Sequence, residues 1–152
     1  MSIETDIKQS AFKSPHHKLI VNLLFTANWH QNEHLRLLKP NGMTVPQYNV
    51  LRILKGQYPK AVRINDIIER MLDKMSNASR VVDKLVEKKL AHRTGSELDR
   101  RAVDVVITKL GMQMLIDLEA TEAQMEEKMM TLTSEEAEQL SSLLDKLRGS
   151  EQ

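Results

Sequence analysis

Small polar and basic side chains cluster between residues 76 and 84, at a spacing that puts them on one side of a helix. Ser76, Asn77, Arg80 and Lys84 alternate with apolar residues in SNASRVVDKL, and at about 100° per residue the two kinds fall on opposite faces. Hydroxyl, amide and guanidinium groups can hydrogen-bond to base edges and phosphates in a DNA major groove. The segment is therefore a candidate DNA-contacting helix; the alternative is an ordinary amphipathic helix with a mixed polar face.

A second candidate group lies in the run DRRAVDVVITKLG. Asp99 and Arg101 are two residues apart, so they project to the same side of an extended strand. A carboxylate there can brace a guanidinium in bidentate geometry and aim it outward, while Arg100 at the turn stays free. An arginine on a thin loop suits the narrow, electronegative minor groove of A·T-rich DNA. The alternative is a surface hairpin with a local ion pair.

His30 and His34 are four residues apart on a predicted helix, a spacing that allows two histidines to share a metal. Glu33 points elsewhere, and paired interface or pocket histidines are the alternative interpretation. The chain has no cysteine, which excludes disulfides, thiolate nucleophiles and Cys-containing zinc sites. No Gly-rich phosphate loop or Gly-x-Ser-x-Gly motif occurs. The sequence therefore predicts no catalysis, no cofactor and no complete metal site.

Length and composition indicate one mainly helical domain. Of the 152 residues, 41% are hydrophobic and only 3% are aromatic, and helix-forming types fill much of the remainder. Residues 60–101 carry eleven Lys or Arg and seven Asp or Glu, whereas residues 102–152 carry four and eleven. A basic middle followed by an acidic end favours one part that faces a polyanion and one held away from it. No signal peptide or membrane span is recognisable, so we expect a cytoplasmic protein without membrane contact.

Periodicity predicts the elements that position these residues. A flexible arm over 1–13 precedes a helix over 14–38, which is apolar nearly all round in its middle and so must be buried on more than one face. In so small a chain, we expect a partner subunit to provide the second cover. The middle of the chain then has a helix from Thr44 to about Gly56, a minimal strand over 61–63, a tight turn over 72–74 between a short helix over 64–71 and a helix over 75–89, and strands over 90–94 and 102–107; the short helix has Ile64, Ile67, Ile68 and Met71 inward. One long helix follows from Thr108 and carries Met114, Leu118, Met125 and Met129 along one side. The last helix begins with a capping box at Thr133 and Glu136 and has an apolar stripe of Ala137, Leu140, Leu144 and Leu147.

Two short helices joined by a tight turn and followed by a hairpin with a charged tip describe a winged helix-turn-helix. The predicted fold class is accordingly mainly α, or α+β, with a winged helix-turn-helix between N- and C-terminal dimerisation helices.

Four runs carry a more specific signal: TVPQYNVLRIL from Thr44, then INDIIERM, SNASRVVDKLVEKKLAHR and DRRAVDVVITKLG. Together they resemble the multiple antibiotic resistance regulator (MarR) family over about residues 15–148. The wing pattern Asp-x-Arg, followed by a hydrophobic residue and Thr-x-x-Gly, matches Asp99, Arg101, Thr108 and Gly111. The chain departs from the family at Lys89, where a glycine often precedes the strand, and the local turn geometry there is open.

The resemblance implies a homodimeric transcriptional regulator, with residues 14–148 as one domain. Residues 14–38 and 109–148 would form the dimer, and residues 44–107 the DNA-binding lobe, one helix lying in the major groove and the wing in the minor groove. Two-fold symmetry then predicts a palindromic double-stranded site with half-sites about 10 bp apart. By position the recognition set is Ser76, Asn77, Ser79, Arg80 and Lys84, with Ser79 nearest the buried side, and the wing set is Asp99, Arg100 and Arg101.

The resemblance also implies a cleft for a small aromatic effector between the dimer base and the lobe, and release from DNA when it binds. Candidate lining residues are Trp29, His30, His34 and Tyr48. The predicted function is a sequence-specific regulator, with repression the expected sign. Two alternatives stay open: a metal-responsive regulator that uses His30 and His34, and a winged-helix module that binds protein.

Overall fold

The fold is described by a computed structural model that covers residues 2–95 and 103–149. Eight α-helices and three strands follow one another within these ranges. In chain order they are α1 Ile3–Asp6, α2 Pro15–Leu38, a short 3-10 turn Lys39–Asn41, α3 Val45–Gln57, β1 Val62–Arg63, α4 Ile64–Arg70, α5 Ala78–Glu87, β2 Ala91–Gly95, β3 Val103–Ile107, α6 Lys109–Asp117, α7 Glu119–Met129 and α8 Ser134–Leu147.

Helices α3 to α5 and the three strands form one unit, here called the lobe. Helix α3 begins after Thr44, as predicted, and opens with a capping box in which Thr44 and Gln47 each accept the other's backbone N–H. The sheet order is β1-β3-β2, with both pairs antiparallel. Side chains from all three helices and the sheet fill the centre, and the fully buried ones are Val50, Leu51, Leu54, Ile67, Val82, Leu85 and Val105. This arrangement confirms the predicted winged-helix fold class.

Helices α2, α6, α7 and α8 form a second unit, here called the frame. Helix α2 begins where predicted, with Ser14 as N-cap and Pro15 in the first turn. It has 24 residues but buries only Leu38, and α8 buries no residue at all. Apolar side chains of both helices are open in the single chain, among them Leu140 and Leu147 of the stripe predicted for α8. The other exposed ones include Ile20, Leu23, Leu24, Phe25, Leu35 and Leu143.

The structure corrects three predicted helices. The long helix from Thr108 is two helices that meet at Leu118, whose backbone (φ −92, ψ 0) starts a new direction. Leu118 is 1% exposed, so burial of this side chain accompanies the bend. The helix predicted over 75–89 is shorter, Ala78–Glu87. Ile68, predicted to face inward, is 38% exposed because Ile67 and Met71 occupy the buried side of the two-turn helix α4.

The N-terminal segment also differs from the predicted flexible arm. One helical turn, α1, forms there, and Ile3 within it is 6% exposed. Glu4 is paired with Lys18 of α2, and the hydrogen bond from that ammonium lowers the pKa of Glu4 to about 2. The segment is therefore attached to α2.

The junction between the lobe and α6 explains the Thr-x-x-Gly pattern. Thr108 accepts the Gly111 N–H at 3.0 Å and donates to the Lys89 carbonyl at 2.7 Å. A Cβ on Gly111 would lie 2.2 Å from the Leu90 oxygen and 2.7 Å from Ile107 Cγ1, so only glycine fits this contact. Lys89 has φ 59; the left-handed backbone that favours glycine is thus adopted by a lysine at this turn.

Candidate nucleic-acid interface

The turn between α4 and α5 is ordered by side chains that accept its backbone N–H groups. Asn49 of α3 accepts the Leu72 N–H at 3.0 Å. Asp73 accepts the Met75 N–H at 2.9 Å and the Ser76 hydroxyl at 2.7 Å. These two donors favour the ionised carboxylate, the Ser76 hydroxyl most strongly, and so lower the pKa of Asp73. The ionised Asp73 carboxylate therefore holds the start of the turn, and this carboxylate with its two hydrogen bonds is called the bracket below.

Asn77 is the N-cap of α5, since its side-chain oxygen accepts the Arg80 N–H at 3.0 Å. This explains why the helix begins three residues later than predicted: Asp73 and Asn77 satisfy N–H groups that would otherwise enter the first turn. Ser76 is half-buried, so it and Asn77 shape the start of α5. Sequence reasoning missed Asp73, although an Asp that accepts the backbone N–H two residues further on is a common turn-forming residue.

The remaining residues of the predicted recognition set lie on α5 itself. Ser79, Arg80 and Lys84 are exposed, whereas Ala78, Val82 and Leu85 are buried in the lobe. Ser79, which the sequence places nearest the buried side of this set, is exposed as well. Among the described residues, the ion pairs of this region join Lys84 to Glu87 and Arg93 of β2 to Asp83, and neither pair involves the Arg80 guanidinium. Helix α5 thus presents a polar, cationic face outward from the lobe.

The predicted wing residues Asp99, Arg100 and Arg101 lie outside the described residues. What the structure places is the base of the hairpin, where β2 and β3 pair in register from Ala91 opposite Ile107 to Gly95 opposite Val103. The wing assignments therefore remain predictions.

A cavity of about 680 Å³ lies where the frame meets the lobe. Three of the four predicted effector residues line it, namely His30, His34 and Tyr48; Trp29 does not, and its side chain is 40% exposed instead. Residues that sequence reasoning missed complete the wall, and they include Asn49, Arg52, Leu72, Asp73 and Glu122. The two residues that hold the α4–α5 turn are thus cavity residues as well.

Aromatic and charged groups pack tightly at one end of this cavity. The His34 ring meets the Tyr48 ring edge to face at 5.3 Å between centroids, and Arg52 pairs with Glu122 of α7. Burial, followed by the Glu122 contact, raises the pKa of Tyr48 to about 12. Burial and the neighbouring His30 lower the pKa of His34. The cavity therefore offers neutral imidazole and phenol groups beside a guanidinium that is already paired.

His30 and His34 are neighbours on α2, as their spacing predicts. The two rings are 6.0 Å apart between centroids, and no group of three His, Cys, Asp or Glu side chains suited to a metal occurs among the described residues. Over the same residues, no helix is both long enough and apolar enough to cross a bilayer.

A lobe of three helices with a paired β-hairpin, attached to long flanking helices, defines a winged helix-turn-helix protein. The sequence profile of the MarR family matches residues 41–102. The transcriptional regulator MhqR of Bacillus subtilis is 30% identical over 123 residues, which span 79% of this chain and 80% of that protein. The chain belongs to the MarR family of transcriptional regulators and is not an enzyme.

Two further similarities bear on the lobe. The transcriptional repressor MdtR of B. subtilis is 35% identical over 81 residues, 53% of this chain and 51% of that protein. The fold of S. aureus MepR, solved as a MepR–DNA complex, superposes with a TM-score of 0.76 at 22% identity, covering 85% of this chain and 95% of that one.

Proposed function

We propose that the protein is a homodimeric repressor that binds a palindromic double-stranded DNA site. Helix α5 enters the major groove, and the wing around Asp99, Arg100 and Arg101 enters the adjoining minor groove. Residues 44–107 serve as the DNA-binding part, and residues 14–38 and 109–148 as the dimerisation helices. The observation that carries the proposal is the outward face of α5, on which Ser79, Arg80 and Lys84 are exposed while the opposite face is buried.

The hydrogen-bonding groups of α5 and the similarity to known regulators both support duplex DNA as the ligand. Arginine pairs with guanine edges or phosphates, and serine hydroxyls bond to either. The first turn of α5 adds backbone N–H groups and a positive dipole end. MepR is described in complex with DNA, and MdtR is named a repressor. We propose DNA binding and repression of transcription for this chain as well.

The open apolar stripes of the frame support a homodimer. Ile20 and Leu24 of α2 are 57% and 61% exposed, and Leu140 and Leu147 of α8 are 48% and 55% exposed. Contiguous apolar surface of this kind is unfavourable in water and marks an interface. A second copy presents the same stripes, so a two-fold pairing covers both sets at once.

The cavity supports release by a small aromatic effector. Asn49 and Asp73 face the cavity and also hold the turn that precedes α5. A ligand that hydrogen-bonds to either side chain competes with the N–H of Leu72 or Met75. Binding in the cavity would then disturb the start of the recognition helix and lower the affinity for DNA.

The test begins with selection of bound duplexes from a random pool by the full-length protein. The enriched sequence gives the recognised bases, and the separation of its half-sites, about 10 bp, gives the dimer geometry. Arg80→Ala and Arg101→Ala should each weaken binding to that duplex by about 1–3 kcal/mol. Lys146→Ala on α8 removes the same charge from the frame and should leave the affinity nearly unchanged.

Salt dependence separates DNA binding from the protein-interaction alternative. The affinity for the selected duplex should fall steeply between about 50 and 200 mM salt, because bound phosphates release counterions. Unchanged affinity of both arginine variants, or the absence of any enriched duplex, would contradict the proposed docking.

A further inference from the structure

The turn before α5 carries the two most exposed large apolar side chains of the described residues. Met75 is 93% exposed and Leu72 is 87% exposed, whereas Met71 beside them is 2% exposed. A single exposed apolar residue needs no explanation. Met75 is different because of its position, between the bracket residue Asp73 and the N-cap Asn77.

The bracket fixes the backbone from which Met75 projects. Asp73 accepts the N–H of Met75 itself at 2.9 Å and the hydroxyl of Ser76 at 2.7 Å. Lys74 turns away from this side, since its ammonium bonds to the Ile68 carbonyl at 3.1 Å, near the end of α4. The polypeptide therefore holds an apolar side chain in water on an ordered turn, and the neighbouring long cation does not shield it.

The surroundings of Met75 match the major groove of a duplex. Ser79 and Arg80, four and five residues further on in α5, are also exposed and suit polar base edges and phosphates. Thymine is the one base that presents a methyl group in that groove. A methionine thioether is long, unbranched and polarizable, so it can adjust its contact to such a methyl group.

We propose that Met75 is a specificity-determining residue that packs against a thymine 5-methyl group in each half-site. Asp73 acts as a positioning residue, because its carboxylate orders the turn that presents Met75. This inference rests on the proposed function. It adds that the turn before α5 distinguishes thymine from the other bases, and that the Met75 side chain does so by contact with the 5-methyl group.

The experiment uses the full-length protein and the duplex enriched by selection. Each thymine is replaced in turn by uracil, which removes the 5-methyl group and keeps the Watson–Crick edge. At one thymine of each half-site, the wild-type protein should lose about fourfold in affinity, the value for one methyl-sized apolar group. The Met75→Ala protein should bind the thymine and uracil duplexes equally well at that position.

Leu72→Ala is the matched control, since it truncates an equally exposed apolar side chain of the same turn. It should keep the full uracil penalty. The high exposure of Met75 means that its truncation should leave the thermal unfolding midpoint unchanged, and sedimentation should show the same oligomeric state as the wild type. A change in oligomeric state would assign Met75 to a contact between copies and overturn the inference.

Asp73→Asn tests the positioning role. It should lower the affinity for the thymine duplex and reduce the discrimination against uracil. If the wild type selects a site but no uracil replacement weakens binding, or if Met75→Ala keeps the penalty, the inference fails and the proposed function stands. If no duplex is enriched at all, the proposed function fails first.

Discussion

The lobe and the frame differ in how they bury apolar surface. The lobe has a filled core, to which Leu38, Leu115 and Leu118 of the frame contribute, and Val50, Leu51 and Val82 within it have no exposed surface. The frame is built from longer helices yet leaves most of its apolar side chains open, with Leu38 the one buried residue of the 24 in α2. Apolar burial is the main stabilising contribution in folding. The lobe therefore has its stabilising core in one chain, whereas the frame needs another surface against it.

The largest expected effect is the loss of a lobe core residue. Leu51→Ala should lower the free energy of unfolding by about 2–5 kcal/mol, because it leaves a cavity in a filled core. Leu140→Ala in the frame should instead change the protein concentration at which the proposed homodimer dissociates. Denaturant unfolding at several protein concentrations measures both. If the two variants show the same concentration dependence, the difference between lobe and frame does not hold.

A smaller effect is expected where lobe and frame join. Gly111→Ala places a Cβ 2.2 Å from the Leu90 oxygen, and overpacking of this kind typically costs about 1–3 kcal/mol. Gly56→Ala is the control, since nothing lies within 4 Å of its added Cβ, and it should be neutral or slightly stabilising in the helix. The midpoint of thermal unfolding should therefore fall for Gly111→Ala, whereas for Gly56→Ala it should stay unchanged or rise slightly.

Lys89→Gly should stabilise the lobe. Lys89 holds φ 59, a backbone region that costs a residue with a side chain about 1–2 kcal/mol relative to glycine. The greater freedom of glycine in the unfolded chain offsets part of that gain. A rise of about 0.5–1 kcal/mol in the free energy of unfolding is expected. Lys88→Gly, one residue earlier at φ −78, should be destabilising.

The smallest effect concerns pH at the boundary between the two units. Burial lowers the pKa of His34 below its usual 6.5, so the unfolded chain binds this proton more tightly than the folded one. Stability is therefore fully present above about pH 6.5 and falls as the pH drops toward the folded-state value. His30, Tyr48 and Glu122 surround the group and stay in place in His34→Gln. That variant should lose less stability than the wild type between pH 7 and pH 5.

Local signals predicted the elements well. Ser14, Thr44, Thr108 and Thr133 each cap the helix assigned to them, because capping depends on residues only three positions apart. The start of α5 was misplaced because Asp73 accepts the Met75 N–H before the helix and Asn77 accepts the Arg80 N–H as its cap, and periodicity alone does not show which residue caps the helix. The bend at Leu118 has no breaker residue in sequence and follows from tertiary packing.

The cavity was predicted only in part, for a related reason. His30 and His34 share one helix, and their proximity follows from their spacing. Arg52 and Glu122 are 70 residues apart, and only the packing of α3 against α7 brings them together. Trp29 was placed in the cavity on its residue type, but its position on α2 turns it away. Periodicity shows which residues share one face of a helix, but it does not show how the lobe and the frame contact each other.

The Arg52–Glu122 pair has a consequence for how measurements on this protein are interpreted. Its side chains are 45% and 46% exposed, and such pairs contribute about 0–1 kcal/mol and weaken as ionic strength rises. Added salt therefore weakens this ion pair between α3 and α7 in the free protein, before any phosphate is bound. The slope of affinity against ionic strength then contains any contribution of this pair in addition to that of the phosphate contacts. An uncharged Arg52→Gln, Glu122→Gln pair isolates the part that comes from the nucleic acid.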